Sequence, residues 1–150
     1  MKRRILLVDD DLAVLLTLKA VLELHGFEVE TAGSSAEAFA RLKSSAYHMV
    51  ISDLRMETEE AGLEVIRTAR QQDYDPATAL LTAYPPSSGE GEADQREGED
   101  WAGENSDSLL IKPLGTSDLL RQVEALLVRH ADRQKRRARP GIRGIQGTRS

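Results

Sequence analysis

Short apolar runs alternate along this chain with segments whose apolar residues recur every three or four positions. Arg4–Asp9 is short, continuous and apolar, which predicts a buried strand. Leu12, Leu15, Leu16, Val21 and Leu22 follow near helical spacing, with Asp11 placed to cap the helix and Gly26 to stop it. Phe27, Val29 and Thr31 alternate with Glu28 and Glu30, the pattern of a half-exposed edge strand. Ser34-Ser35-Ala36-Glu37 fits a capping box opening a helix to about Leu42. His48–Asp53 predicts another strand, Leu63, Val65, Ile66 and Ala69 a helical face, and Pro76–Thr82 a fourth strand. Leu109–Lys112 predicts the last strand. A final helix, capped by Thr116 or Ser117, then buries Leu119, Leu120, Val123, Leu126 and Leu127.

Five strands alternating with four or five helices predict an α/β fold: a doubly wound parallel sheet with right-handed crossovers and helices on both faces. The apolar runs end on chemically useful residues. The first runs into Asp9, Asp10 and Asp11, the third into Asp53, the fourth into Thr82 and the fifth into Lys112. In an open parallel sheet ligands bind at the carboxyl ends of the strands. If the runs are neighbouring strands, carboxylates, a hydroxyl and an ammonium converge on one site.

Residues 85–108 break the rhythm. They hold four glycines and eight acids against one Arg96, so a helix there is poor, with Trp101 its only large apolar anchor. The net charge of −5 also hides a split. Residues 129–150 carry eight Lys/Arg and one acid, Asp132, leaving 12 basic and 24 acidic side chains on the other 128 residues. We expect a folded domain over 1–128 and a basic tail over 129–150, either disordered or a frayed helix extension. No run approaches the ~20 apolar residues of a membrane span, and the amino terminus lacks a signal-peptide core, so a cytoplasmic location is expected. With no cysteine, disulfides, thiolate metal sites and cysteine nucleophiles are excluded.

Asp9, Asp10 and Asp53 are hard oxygen ligands without His or Cys in the pattern, which favours Mg²⁺. Asp serves as a covalent nucleophile in forming an aspartyl phosphate. Lys112 supplies a point charge and Thr82 a hydroxyl for phosphoryl oxygens. Asp11 reads as a cap, and His25, His48 and His130 as structural or surface residues.

The set Val8-Asp9-Asp10, Ser52-Asp53-Leu54-Arg55-Met56, Leu81-Thr82-Ala83 and Lys112-Pro113 closely resembles the receiver domain of bacterial two-component response regulators, over roughly residues 3–128. The resemblance implies a stand-alone, chemotaxis-regulator-like receiver with a flavodoxin-like strand order 2-1-3-4-5, from which the poor helix over residues 85–108 departs as an atypical fourth helix region. It implies that Asp53 accepts a phosphoryl group from a histidine kinase or phosphotransfer protein. Asp9, Asp10, Asp53 and the main-chain carbonyl of Arg55 would hold Mg²⁺. Thr82 would be the switch hydroxyl, Lys112 its charge partner, and Lys112–Pro113 the family's cis peptide bond. Ala83 fits the small residue beside Thr82, and Tyr84 the position that tunes access of hydrolytic water.

Three features depart from the family. Leu109 stands where an aromatic switch residue is usual, Glu57 replaces the usual proline after Met56, and the Thr82–Lys112 interval is long. These motivate an alternative, a pseudo-receiver whose binding does not depend on phosphorylation. A Mg²⁺-dependent phosphatase using Asp53 would need a general acid two residues on, where Arg55 stands. Nucleic acid enters only through the basic tail, which is too short for a DNA-binding module. The downstream target is unnamed by the sequence.

Overall fold

The computed structural model describes residues 2–58, 60–82, 108–111 and 115–137. Its elements are β1 (Arg4–Val8), α1 (Leu12–Leu24), β2 (Glu28–Ala32), α2 (Ser35–Ser44), β3 (Met49–Asp53), α3 (Ala61–Arg70), β4 (Ala77–Thr82), β5 (Ser108–Ile111) and α4 (Thr116–Arg137). All strand pairs are parallel, in the order β2-β1-β3-β4-β5. This is the doubly wound order expected from the sequence.

Because side chains alternate across a strand, the apolar runs feed two cores. Ile5, Leu7, Met49, Ile51, Ala77, Ala79, Leu81 and Leu110 pack with Leu15 and Leu22 of α1 and with Leu119, Val123, Leu126 and Leu127 of α4. Leu6, Val8, Val50 and Leu80 face the other way, onto Ala38 and Leu42 of α2 and Leu63, Val65, Ile66 and Ala69 of α3. Burial on both faces explains why the central strands read as unbroken apolar runs.

The caps follow the sequence closely. Asp11 Oδ1 accepts from the amides of Ala13 (2.9 Å) and Val14 (3.4 Å), and Gly26 takes a φ of +94° to end the α1 turn. Ser34 Oγ accepts from Glu37 N (3.1 Å), while the Glu37 carboxylate accepts from Gly33 N (2.8 Å). That is one residue before the cap, where a standard capping box would reach the cap residue itself. The final helix already begins at Thr116, with the Gly115 carbonyl accepting from Leu119 N (2.9 Å).

Two local features depart from the simple pattern. Edge strand β2 does not alternate cleanly, since Glu30 is half-buried and engaged by Arg4, Arg41 and Tyr47. Helix α4 runs on to Arg137, into the segment expected as tail. His130 and Gln134 hold that extension: His130 Nε2 and Gln134 Nε2 both donate to the Asp75 carbonyl, at 2.8 and 3.0 Å. Asp75 itself takes a φ of +50°. The expected poor helix over 85–108, with Trp101, and the remaining tail 138–150 lie outside the described residues.

Candidate functional site

Strand register builds the site. Val8 pairs with Ser52, so Asp9 and Asp53 leave the sheet side by side. Asp53 pairs with Leu81, which sets Thr82 one residue further on, and Thr82 pairs with Ile111, directly before Lys112. Carboxylate oxygens of Asp9, Asp10 and Asp53 all lie within 4.8 Å of one another. Asp9, Asp53 and Thr82 are buried and Asp10 is exposed. Asp9 Oδ1 also accepts from Asp11 N (2.9 Å), which fixes its carboxylate at the mouth of the turn.

Such crowding is costly without a counter-charge. Two carboxylates within 4.8 Å repel by about 3 kcal/mol or more at an effective dielectric of about 20. Three oxygen ligands with no imidazole or thiolate, two of them sunk into the sheet end, fit a small hard divalent cation. The donor set therefore suits Mg²⁺. It also suits a phosphoryl group approaching Asp53 once that charge is offset.

The backbone behind Asp53 is packed from beneath by a residue the sequence reading did not single out. A Cβ added to Gly62 would lie 1.7 Å from the Asp53 carbonyl oxygen and 2.7 Å from Leu54 Cα. Gly62 N donates to Leu54 O (3.0 Å), and Leu54 N to Leu81 O (2.9 Å). The start of α3 thus sits directly against the Asp53 peptide unit. The available signal was a glycine inside the first turn of a helical pattern, which is unfavourable unless a close backbone approach demands it.

Glu57, marked in the sequence only as a departure from the family's proline, has a partner that the sequence did not show. Its carboxylate accepts from Ser35 N (3.0 Å) and from the Ser35 hydroxyl, joining the β3–α3 loop to the start of α2. The Ser35 hydroxyl, and then the amides of Glu57 and Ser35, hold the Glu57 carboxyl below its ordinary value. Asp11 caps a helix, as expected. His25 and His48 make main-chain contacts, with Val21 O (3.0 Å) and Arg4 N (2.9 Å). Leu109 is placed in β5 opposite Leu80. Ala83, Tyr84, Lys112 and Pro113 lie outside the described residues.

A five-stranded doubly wound sheet with an acidic cluster at its carboxyl end defines a class of phosphoryl-handling and nucleotide-handling folds. Residues 5–124 match the response regulator receiver domain, and the chain belongs to that family. It is 34% identical over 126 residues to the transcriptional regulatory protein PrrA of Mycobacterium leprae, covering 84% of this chain and 50% of that protein. It is 34% identical over 128 residues to a CpxR homolog of Haemophilus influenzae, covering 85% and 52%. The chain thus spans about half the length of these curated relatives. Among solved structures, a CheY-like receiver domain protein from Methanospirillum hungatei superposes with a TM-score of 0.73 at 25% identity, covering 89% of this chain and 99% of that one. The response regulator TrrA from Thermotoga maritima, solved in complex with Mg²⁺ and BeF, gives 0.66 at 32% identity, covering 84% and 99%. No helix among the described residues is long and apolar enough to cross a membrane.

Proposed function

We propose that this chain is a phosphorylation-activated switch that takes a phosphoryl group onto Asp53 from a histidine kinase or a phosphotransfer protein. The observation that carries this reading is the meeting of Asp9, Asp10 and Asp53 within 4.8 Å at the sheet end. An Asp53 carboxylate oxygen attacks phosphorus, the bond from phosphorus to the donor imidazole nitrogen breaks, and a mixed anhydride forms on Asp53. Asp9, Asp10, Asp53 and the Arg55 carbonyl would hold Mg²⁺. When bound, that ion offsets carboxylate and phosphoryl charge in a step that needs positioning and electrostatics above all.

The chain's own residues do the rest. Burial of Asp9 and Asp53 restricts water around the acceptor. Thr82 offers a hydroxyl and Lys112 an ammonium to the phosphoryl oxygens. Moving those two groups onto the phosphate is the change a downstream protein would read, with Leu109 as the neighbouring switch position. Hydrolysis of the anhydride resets the switch. This is signalling chemistry with weak self-dephosphorylation rather than turnover of a substrate.

Intact-mass spectrometry after incubation with a small acyl-phosphate donor tests the reading. Wild type should gain one phosphoryl group only with Mg²⁺, and Asp53→Asn should gain none. No gain in folded wild type would favour the pseudo-receiver, and full uptake by Asp53→Asn would remove the assignment.

A further inference from the structure

The Arg55 carbonyl belongs to the same peptide unit as the Met56 amide, and in a trans peptide the two point to opposite sides of one rigid plane. Met56 N donates to Thr58 O at 3.0 Å, closing a tight turn. That hydrogen bond therefore sets the direction of the Arg55 carbonyl. Glu57 is the residue at the centre of the turn.

The Glu57 side chain is exposed but tethered. Its carboxylate takes both donors of Ser35, the amide at 3.0 Å and the hydroxyl. Ser35 is the first residue of α2, so its amide is one of the donors a helix cannot satisfy internally. The helix in turn is fixed to the body through buried Ala38 and Leu42. The turn lies in the chain between β3 and α3, where Thr58 O also accepts from Ala61 N (3.5 Å), and its centre is tied to α2 by the Glu57 side chain.

We propose that Glu57 is a positioning residue for the metal site, whose clasp on Ser35 fixes the turn that aims the Arg55 carbonyl. This rests on the functional reading above, in which that carbonyl is a Mg²⁺ ligand. It gives the acid that stands in place of a proline a role of its own. A proline would stiffen the loop through its ring, whereas Glu57 restrains it through hydrogen bonds to a neighbouring helix.

Three variants test the clasp. Glu57→Ala deletes the acceptor. Glu57→Gln keeps an oxygen acceptor without the charge. Ser35→Pro deletes both donors at a position where proline suits a helix, the first residue after the cap. The preceding Ser34 is extended, at φ −157° and ψ 165°, as a residue before proline requires.

Hydrogen exchange at the Met56 amide reads the turn without metal or phosphate. Phosphoryl uptake from an acyl-phosphate donor across a Mg²⁺ series reads the carbonyl. Glu57→Ala and Ser35→Pro should speed Met56 exchange and raise the half-saturating Mg²⁺ by about tenfold, the lower range for outer-shell partners of a metal site. Uptake rates at saturating Mg²⁺ should stay near wild type, and Glu57→Gln should fall between wild type and Glu57→Ala. Wild-type exchange at Met56 in both deleting variants would overturn the clasp. Faster exchange with an unchanged Mg²⁺ requirement would overturn the positioning role, as would a shift in Glu57→Ala not shared by Ser35→Pro. Failure of the functional reading has a separate signature, uptake retained by Asp53→Asn.

Discussion

The two ends of the sheet handle charge in opposite ways. At the carboxyl end, Asp9, Asp10 and Asp53 crowd within 4.8 Å of one another. At the amino end, acids and bases are matched. Arg4 reaches Glu28 at 3.3 Å and Glu30 at 2.7 Å and lies 5.1 Å from the centre of the Tyr47 ring. Arg41 and the Tyr47 hydroxyl complete the surroundings of Glu30, and Tyr74 packs edge-on against Tyr47 at 6.3 Å. One end spends stability on a concentrated field, and the other recovers it through hydrogen bonds and packing. Like charges held this close suit a site proposed to take a cation and a phosphoryl group, whereas a structural end is served by matched pairs.

The contrast predicts effects of very different size. Gly62→Ala should be the most damaging, because the new methyl collides with backbone rather than with a flexible side chain. We expect a loss of about 3 kcal/mol or more in denaturant unfolding, in the range of overpacked interiors. Mg²⁺ binding should weaken with it. A near-wild-type midpoint would show that α3 can lift off Asp53 cheaply.

Mg²⁺ itself should act on one end alone. At about 100 times its Kd it should stabilise the fold by about 2.7 kcal/mol. Asp10→Asn should raise the metal-free melting temperature by relieving repulsion, and should shrink the Mg²⁺ gain. Variants at the amino end should leave that gain intact. Equal Mg²⁺ stabilisation in Asp10→Asn and wild type would place the ion elsewhere.

At the amino end the effects should be modest and tied to pH. Burial first, then the hydrogen bond to Glu30, pushes the Tyr47 hydroxyl up to about 12. The folded state holds that proton more tightly than the unfolded chain, so its contribution is complete below pH 10 and is lost as pH rises from 10 through about 12. Glu30 is held below its ordinary value, by the Tyr47 hydroxyl first and then by Arg4 and Arg41. Its contribution is present above the usual carboxylate range and is lost as pH falls through the lowered value. Tyr47→Phe should cost about 1 kcal/mol at pH 7 and flatten the alkaline limb. Both are read by urea unfolding across a pH series. The smallest effect should come from Gln134→Ala, about 0.5 kcal/mol for a half-exposed hydrogen bond, seen as faster amide exchange in residues 129–137.

Much of the fold was legible because β1, β3 and β4 are buried on both faces and each carries a short apolar run, Ile5–Val8, Met49–Ile51 and Ala79–Leu81. The acidic cluster was legible for the same reason: each run has a sharp end, and the residue at that end inherits a position in the sheet. What the sequence hid depends on contacts between distant residues. The Glu57–Ser35 clasp spans 22 positions and the His130–Asp75 contact spans 55, and neither leaves a periodic trace. The extension of α4 past Val128 was one of two readings the sequence left open, because residues 129–137 hold a single apolar residue, Ala131; polar hydrogen bonds hold that turn to Asp75. Gly62 left only the oddity of a glycine where a helix begins.

The account stands on Asp53 as the residue that carries the phosphoryl group. Borohydride reduces an acyl phosphate to an alcohol and so leaves homoserine where an aspartyl phosphate stood. Peptide mass mapping after acyl-phosphate treatment and borohydride reduction would locate that conversion. The account predicts homoserine at position 53 alone, formed only when Mg²⁺ is present. Conversion at Asp9 or Asp10, or none anywhere in folded protein supplied with Mg²⁺, would contradict it.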